Sequence, residues 1–197
     1  MTTPESDSPE SILDFWFGRP DSAEYGRART AWFTKDDAFD ATIRERFGGA
    51  IERALRGELE AWADRPPTAL AQILLLDQFT RNAFRGSARA FAGDARALAA
   101  ASRMVGRRDD EALPPFMRGF VYLPFEHAEG LAMQDESVRL FARLAAEAAD
   151  QQSMLDYAHR HRAVIERFGR FPHRNAALGR ETTAEERAFL DGGGFSG

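Results

Sequence analysis

The sequence of 197 residues contains no cysteine, and Lys35 is the only lysine among 26 basic residues. The absence of cysteine excludes disulfides, thiolate-held zinc and iron–sulfur centres, and thiol nucleophiles. No segment approaches the ~18 apolar residues that a membrane span requires. The first ten residues also lack the basic start and apolar run of a secretory signal. We therefore expect a cytoplasmic protein with no membrane partner.

The remaining composition is that of a globular protein, with 44% hydrophobic and 29% charged residues. The length suits one domain, so we expect a single all-helical domain over residues 1–197, with 1–8 and 191–197 frayed. Acidic residues outnumber basic residues by 31 to 26, which gives a net charge of −5. This balance argues against nucleic-acid binding, although it allows a local basic site.

Apolar residues recur at helical spacing along almost the whole chain, and no alternating strand pattern interrupts them. Ser8–Pro9 is a typical helix start, and Thr183 with Glu186 forms a capping box for a last short helix. A long helix is expected over 68–84. At Pro124 we expect either a new helix or a kink in a continuing one. The predicted fold class is all-α.

Three further local signals refine this pattern. Gly48–Gly49 is expected to weaken or kink the second helix, which Asp36 or Asp37 caps. Asp94 is expected to cap another helix. Gly169 is expected to end the helix predicted over 153–168.

The first of three polar segments lies on the helix predicted over 68–84. Its polar residues share an arc of ~140° and are Asp77, Gln78, Arg81, Asn82 and Arg85. One interpretation is a solvated face with an i,i+4 ion pair between Asp77 and Arg81. Because the helix is otherwise apolar nearly all round, the alternative is an arc that faces a cavity or a partner.

The second polar segment places His127 between Glu126 and Glu129. This group could lend one or two ligands to a metal, or form an acid–base pair. The alternative is a hydrogen-bonded structural histidine. We assign no metal ligand and no cofactor from this pattern.

The third polar segment, residues 159–175, contains five arginines and one acid. His161 lies at the centre of the apolar helix face and His159 points the opposite way. We expect His159 to be exposed, and His161 either to be buried with a structural partner or to line a cleft. Four polar residues follow within six positions: Arg170, His173, Arg174 and Asn175. Such a loop suits a carboxylate or phosphate, unless its arginines pair with acids and fasten helices together.

These segments also carry a resemblance. The sequence resembles the bacterial family called domain of unknown function 924, from residue 12 to residue 190. Its most specific motifs are LDQFTRN at 76–82, PFEHAE at 124–129, FGRFPHRN at 168–175 and LGR at 178–180. Thr80 and Ala128 depart from the residues usual in the family, and the position of Glu126 varies within it. The resemblance implies a TPR-like bundle of antiparallel helix pairs and no agreed activity.

We expect the three segments to converge on one pocket that binds a small anionic molecule, a carboxylate or a phosphate. Acid–base chemistry is the enzymatic style left open. The candidate catalytic residues are Asp77, His127, Glu129, His161 and His173. The candidate ligand-binding residues are Gln78, Arg81, Asn82, Arg85, Arg170, Arg174 and Asn175.

Two other interpretations stay open at this point. The protein could be a TPR-like peptide-binding or scaffold protein with no catalytic activity. Its polar motifs could also form buried ion-pair networks with no ligand. A small-molecule site requires the three segments around one enclosed pocket, whereas a scaffold would spread its polar residues along an open groove.

Overall fold

In the computed structural model, which describes residues 8–32 and 34–195, the chain forms eight helices and no strand. They are α1 (Pro9–Phe17), α2 (Asp37–Leu55), α3 (Pro66–Ile73, Leu74–Phe79 and Thr80–Ala83 in succession), α4 (Asp94–Arg107), α5 (Pro115–Glu126), α6 (Leu131–Glu147), α7 (Gln152–Phe168) and α8 (Ala184–Asp191). Short 3₁₀ turns lie at Thr30–Trp32, Glu60–Asp64, Ala88–Phe91, Asp109–Ala112, Ala149–Gln151 and Pro172–Arg174. The predicted all-α class is confirmed.

Helix boundaries follow the local signals in the sequence. The side chain of Ser8 accepts a backbone hydrogen bond from the first turn of α1, which starts at Pro9. Thr183 accepts the N–H of Glu186 at 3.2 Å, and Glu186 accepts the N–H of Thr183 at 2.8 Å. Gly169 ends α7 in the left-handed conformation, at φ +69°. All three predicted boundaries are confirmed.

Other expectations need correction. Gly48–Gly49 does not interrupt α2. Of the two alternatives at Pro124, the structure has the continuing helix, since Pro124 lies inside α5. The prediction that Asp94 caps α4 is wrong, because Gly93 occupies the N-cap position and Asp94 is the first helical residue. The Asp94 carboxylate instead accepts hydrogen bonds from Arg81. Tertiary ion pairing has therefore replaced a local cap.

The middle of α3 is π-helical over Leu74–Phe79, and all six residues are buried. Such stretches widen the helix locally and are frequent at functional sites. Gly93 lies against this stretch, where an added Cβ would be 2.1 Å from the carbonyl oxygen of Leu76. Only a glycine allows the start of α4 to approach α3 this closely.

The core joins α1, α3 and α5 through aromatic side chains. The Trp16 ring lies 5.4 Å from the Phe79 ring and 5.8 Å from the Phe120 ring, measured between centroids. Each ring is almost fully buried. Such pairs add ~0.5–1.5 kcal/mol each beyond the burial of their area. This contact fixes α3 against α5, the two helices that carry the first two polar segments.

The later helices pack in chain order, α5 on α6 and α6 on α7. Because short connections join these neighbours, each pair runs antiparallel. The finer TPR-like arrangement and the single-domain organisation stay predictions. The predicted fraying falls partly on 1–7 and 196–197, which lie outside the described residues. Every helix in the described part of the chain is too short or too polar to cross a membrane.

We expect Gly93→Ala to lower the free energy of unfolding by about 1–3 kcal/mol, because the new Cβ must displace the backbone of Leu76. Gly106→Ala, also in the region of α4, is the matched control, since an added Cβ there meets nothing within 4 Å. The control should be neutral or stabilising by up to ~1 kcal/mol. Urea denaturation followed by circular dichroism measures both, and equal stability would contradict the close helix approach.

Candidate functional site

A cavity of about 510 Å³ lies between α3, α5, α7 and the 3₁₀ turn Pro172–Arg174. All three polar segments contribute to its lining, with Gln78, Arg81, Asn82, Arg85, Glu126, His127, His161, His173 and Arg174. Aromatic and apolar side chains complete the wall, among them Trp32, Phe91, Leu123, Met154 and Tyr157. Segments far apart in sequence thus border one cavity.

Asp77 lies behind this wall, completely buried in the π-helical stretch of α3. Its Oδ1 is 2.7 Å from Nδ1 of His127 and 3.1 Å from Nη1 of Arg81. Its Oδ2 accepts a hydrogen bond of 2.6 Å from Nε2 of Gln78. One carboxylate therefore orients three side chains that line the cavity.

The Asp77–His127 contact has a defined protonation state. Burial alone would raise the pKa of Asp77, but the charge of Arg81 and the contact with His127 hold it well below its ordinary value. Burial, together with the charge of Arg81, lowers the pKa of His127 to about 4. At neutral pH a neutral His127 donates Nδ1–H to an ionised Asp77, which leaves the lone pair on Nε2.

A chain of ion pairs continues from Arg81 to the loop after α7. Arg81 donates to both oxygens of Asp94, at 2.8 and 3.1 Å, and Arg174 donates to Asp94 at 3.2 Å. The Arg174 guanidinium lies between two rings, 4.7 Å from the centroid of Phe91 and 4.5 Å from that of Phe171. Burial lowers the pKa of Arg174 to about 10, so it stays charged at neutral pH.

One buried donor of Arg174 is unsatisfied in the described part of the chain. Its Nε is buried and has no hydrogen-bond partner within residues 8–32 and 34–195. Nearby, Nδ1 of His173 is also buried and without a partner in that part of the chain. Burial lowers the pKa of His173 to about 3, with a further contribution from Arg174, so this ring is neutral at ordinary pH.

His161 is buried, with 6% of its surface exposed, while His159 is exposed, and both expectations are confirmed. Nδ1 of His161 lies 3.0 Å from the carbonyl oxygen of Tyr157 and 3.0 Å from Oε1 of Glu126. The other oxygen of Glu126 is buried with no described partner. One ligand atom from each of Glu126, His127 and His161 lies within 4.8 Å of the others.

Two of the lining residues are tied to α2. Asn82 donates to Asp40 at 2.7 Å, and Arg85 donates to both oxygens of Asp40 at 2.8 and 3.1 Å. Burial would raise the pKa of Asp40, but these hydrogen bonds lower it overall. Because Asn82 and Arg85 already donate to Asp40, fewer of their N–H groups are available to a ligand in the cavity.

Glu129 does not line the cavity. It accepts the backbone N–H of Phe171 at 2.8 Å and two hydrogen bonds from Arg180, at 2.6 and 2.9 Å. Burial would raise the pKa of Glu129, but these donors lower it overall. Glu129 therefore clamps the loop after α7 and is not itself a lining residue.

Arg170 and Asn175 also lie away from the wall. Arg170 donates to both oxygens of Glu186, at 2.6 and 2.8 Å, and Asn175 donates to Glu186 at 3.2 Å. Hydrogen bonds from Arg170 are the main reason that the pKa of Glu186 falls to about 2. These contacts attach α8 to the loop and hold Arg174 in place.

Sequence reasoning left some contributors out of the site. Glu126 was not chosen, although its position beside His127 was a usable signal. Asp94 carried no signal, since its proximity to Arg81 and Arg174 arises from tertiary packing alone. Phe91, which packs against the Arg174 guanidinium, was missed for the same reason.

The fold and cavity define an all-helical protein with a pocket walled by arginine and histidine. A family model described as "Bacterial protein of unknown function (DUF924)" matches residues 12–194, and the chain belongs to this family. The solved structure of the protein of unknown function ATU0120 from Agrobacterium tumefaciens is similar, with a TM-score of 0.81 and 42% identity. The match covers 93% of this chain and 97% of that one. No curated protein matches the sequence.

We expect His173 to make the stability of the protein depend on pH. The unfolded chain takes up a proton at this residue near pH 6.5, whereas the folded state does so only near pH 3. The contribution of His173 to the free energy of unfolding is therefore fully present above its pKa in the unfolded chain. It is lost as the pH falls towards the pKa of the folded state. His173→Gln should reduce the slope of unfolding free energy between about pH 6 and pH 4 by about 1.4 kcal/mol per pH unit.

Urea denaturation at several pH values, with a chelator present throughout, measures this slope. His159→Gln is the control for the same substitution at an exposed position of α7. A slope unchanged by His173→Gln would contradict a neutral His173 with a lowered pKa in the folded state.

Proposed function

We propose that the protein binds a small anionic molecule, a carboxylate or phosphate, in this cavity, with Arg174 as the anchor. The observation that carries the proposal is the Nε of Arg174, a buried donor on a charged group with no described partner. A buried unsatisfied donor costs ~1–3 kcal/mol, and more when the group is charged. An anionic oxygen would satisfy it with a charge-assisted hydrogen bond.

The arginines of the wall offer hydrogen-bond donors to an anion. Arg81, Arg85 and Arg174 border the cavity, and Glu126 is the acid among the lining residues. The carboxylates that pair with these arginines, Asp40, Asp77 and Asp94, are not among the described residues that line the cavity. The volume of about 510 Å³ suits a small molecule, since ligand pockets span ~300–1,000 Å³.

A TPR-like peptide-binding or scaffold role is the second candidate function. It would need polar residues spread along an open groove that could clamp an acidic chain end. The gathering of three polar segments around one cavity favours the small molecule. A cytoplasmic location and the catalytic roles of Asp77, His127, Glu129, His161 and His173 stay predictions.

The test is a thermal-shift panel with phosphate, sulfate, sugar phosphates, nucleotides and dicarboxylates. We expect at least one anion to raise the Tm of the wild type by mass action. Arg174→Gln should weaken the binding of that anion by about 10–100-fold, because a hydrogen bond to a charged group contributes ~1.5–3 kcal/mol. Arg174→Lys keeps the charge without the forked donors and should give an intermediate loss.

Arg167→Gln is the matched control, since Arg167 lies on α7 and pairs with Glu185. Its Tm shifts should equal those of the wild type. The proposal fails if no anion stabilises the wild type, or if the shift persists in a folded Arg174→Gln variant. Should Arg174→Gln not fold, Arg174→Lys decides the question alone.

A further inference from the structure

We propose that Glu126, His127 and His161 form a binding site for one divalent transition-metal cation, such as Zn²⁺, in the wall of the same cavity. A nitrogen from each histidine and a carboxylate oxygen lie within 4.8 Å of one another. Glu126 ends α5, His127 follows it directly, and His161 reaches across from α7. This site goes beyond the anion pocket and does not depend on it.

The Nδ1 contacts of both histidines are of the kind that metal-ligating histidines make. A ligating histidine ordinarily donates its second ring N–H to a carboxylate or a backbone carbonyl. Nδ1 of His127 meets the buried Asp77 at 2.7 Å, and Nδ1 of His161 meets the carbonyl of Tyr157 at 3.0 Å. With both Nδ1 atoms engaged as donors, each ring carries its lone pair on Nε2.

Glu126 supplies an anionic oxygen that needs a partner. The residue is 3% exposed, and its Oε2 has no hydrogen-bond partner in the described residues. An ionised carboxylate with one unsatisfied buried oxygen is costly. A cation satisfies it, and the 3.0 Å contact with His161 keeps Oε1 in place.

The net charge around the three ligands also favours a cation. Arg81 and Arg174 are positive, while Asp77, Asp94 and Glu126 are negative, which leaves a net charge of −1 around the three ligands. A divalent cation would reverse this to +1. An anionic ligand held by Arg174 would then neutralise the whole group.

Two nitrogens and one carboxylate oxygen select the kind of cation. Imidazole suits Zn²⁺ and other first-row transition metals, whereas Mg²⁺ and Ca²⁺ prefer all-oxygen sites. Three protein ligands leave a coordination position open towards the cavity, as in sites that bind water or substrate. With bonds of ~2.1 Å, tetrahedral ligand atoms lie about 3.4 Å apart, so side-chain rotation must close the cluster slightly.

The test uses the full chain, stripped with a chelator and titrated with Co²⁺ and with Zn²⁺. Visible absorption of Co²⁺ reports nitrogen and oxygen coordination, and calorimetry gives the Zn²⁺ stoichiometry and Kd. We expect one cation per chain. His161→Gln and Glu126→Gln should each weaken binding at least 10-fold, whereas His159→Gln, on the exposed side of α7, should not change it.

The variant Asp77→Asn tests whether Asp77 positions His127 for the cation or only stabilises the fold. It leaves all three ligands in place but removes the charged acceptor of His127, and we expect cation affinity to fall by about 10–100-fold. Circular dichroism verifies folding, and Glu126→Gln alone decides the matter if the other variants unfold. The proposal is overturned if the wild type binds no cation up to millimolar concentration, or if folded Glu126→Gln binds as tightly as the wild type.

The two proposals fail separately. Arg174→Gln should reduce the anion shift and leave the Co²⁺ spectrum of the ligand-free protein unchanged. Cation binding without any anion shift would uphold the metal site and reject the anion pocket. An anion shift that depends on Arg174, in a protein that binds no cation, would do the reverse.

Discussion

The arrangement depends on one buried carboxylate. Asp77 sits in the π-helical stretch of α3 with no exposed surface, and it contacts His127, Gln78 and Arg81. A buried ionised acid is tolerable only when it is paired and hydrogen-bonded. Both oxygens of Asp77 are paired or hydrogen-bonded. The charge of this one carboxylate therefore fixes the rotamers of three wall residues and the position of α3 relative to α5.

From Asp77 the pairing extends through Arg81 and Asp94 to Arg174, which joins α3, α4 and the loop after α7. A buried ion pair adds little net stability, while the loss of one partner costs ~3–5 kcal/mol. In this network Asp77 and Arg174 are buried, and Arg81 and Asp94 are partly exposed. The consequence of the pairing is a defined geometry. The network holds the Arg174 guanidinium at the cavity, where its buried Nε has no hydrogen-bond partner among the described residues.

A second set of contacts holds the same loop from the other side. Glu129 and Arg180 clamp the backbone of Phe171, and Glu186 receives Arg170. The two sets of contacts involve different arginines of the segment 168–175. Arginines that look alike in sequence differ because one faces the cavity and another attaches α8. Within one cluster of charges, Arg170 therefore attaches α8 and Arg174 borders the cavity.

The sequence by itself determined the all-helical class and the capped ends at Ser8 and Thr183, and it singled out three polar segments that each contribute to the cavity wall. These features are local, since caps and apolar periodicity depend on residues a few positions apart. Tertiary structure alone decided that Asp94 pairs with arginines instead of capping α4, and that Glu126 joins His161. Burial decides those pairings, because a charge removed from water takes whatever partner the packed helices bring within reach.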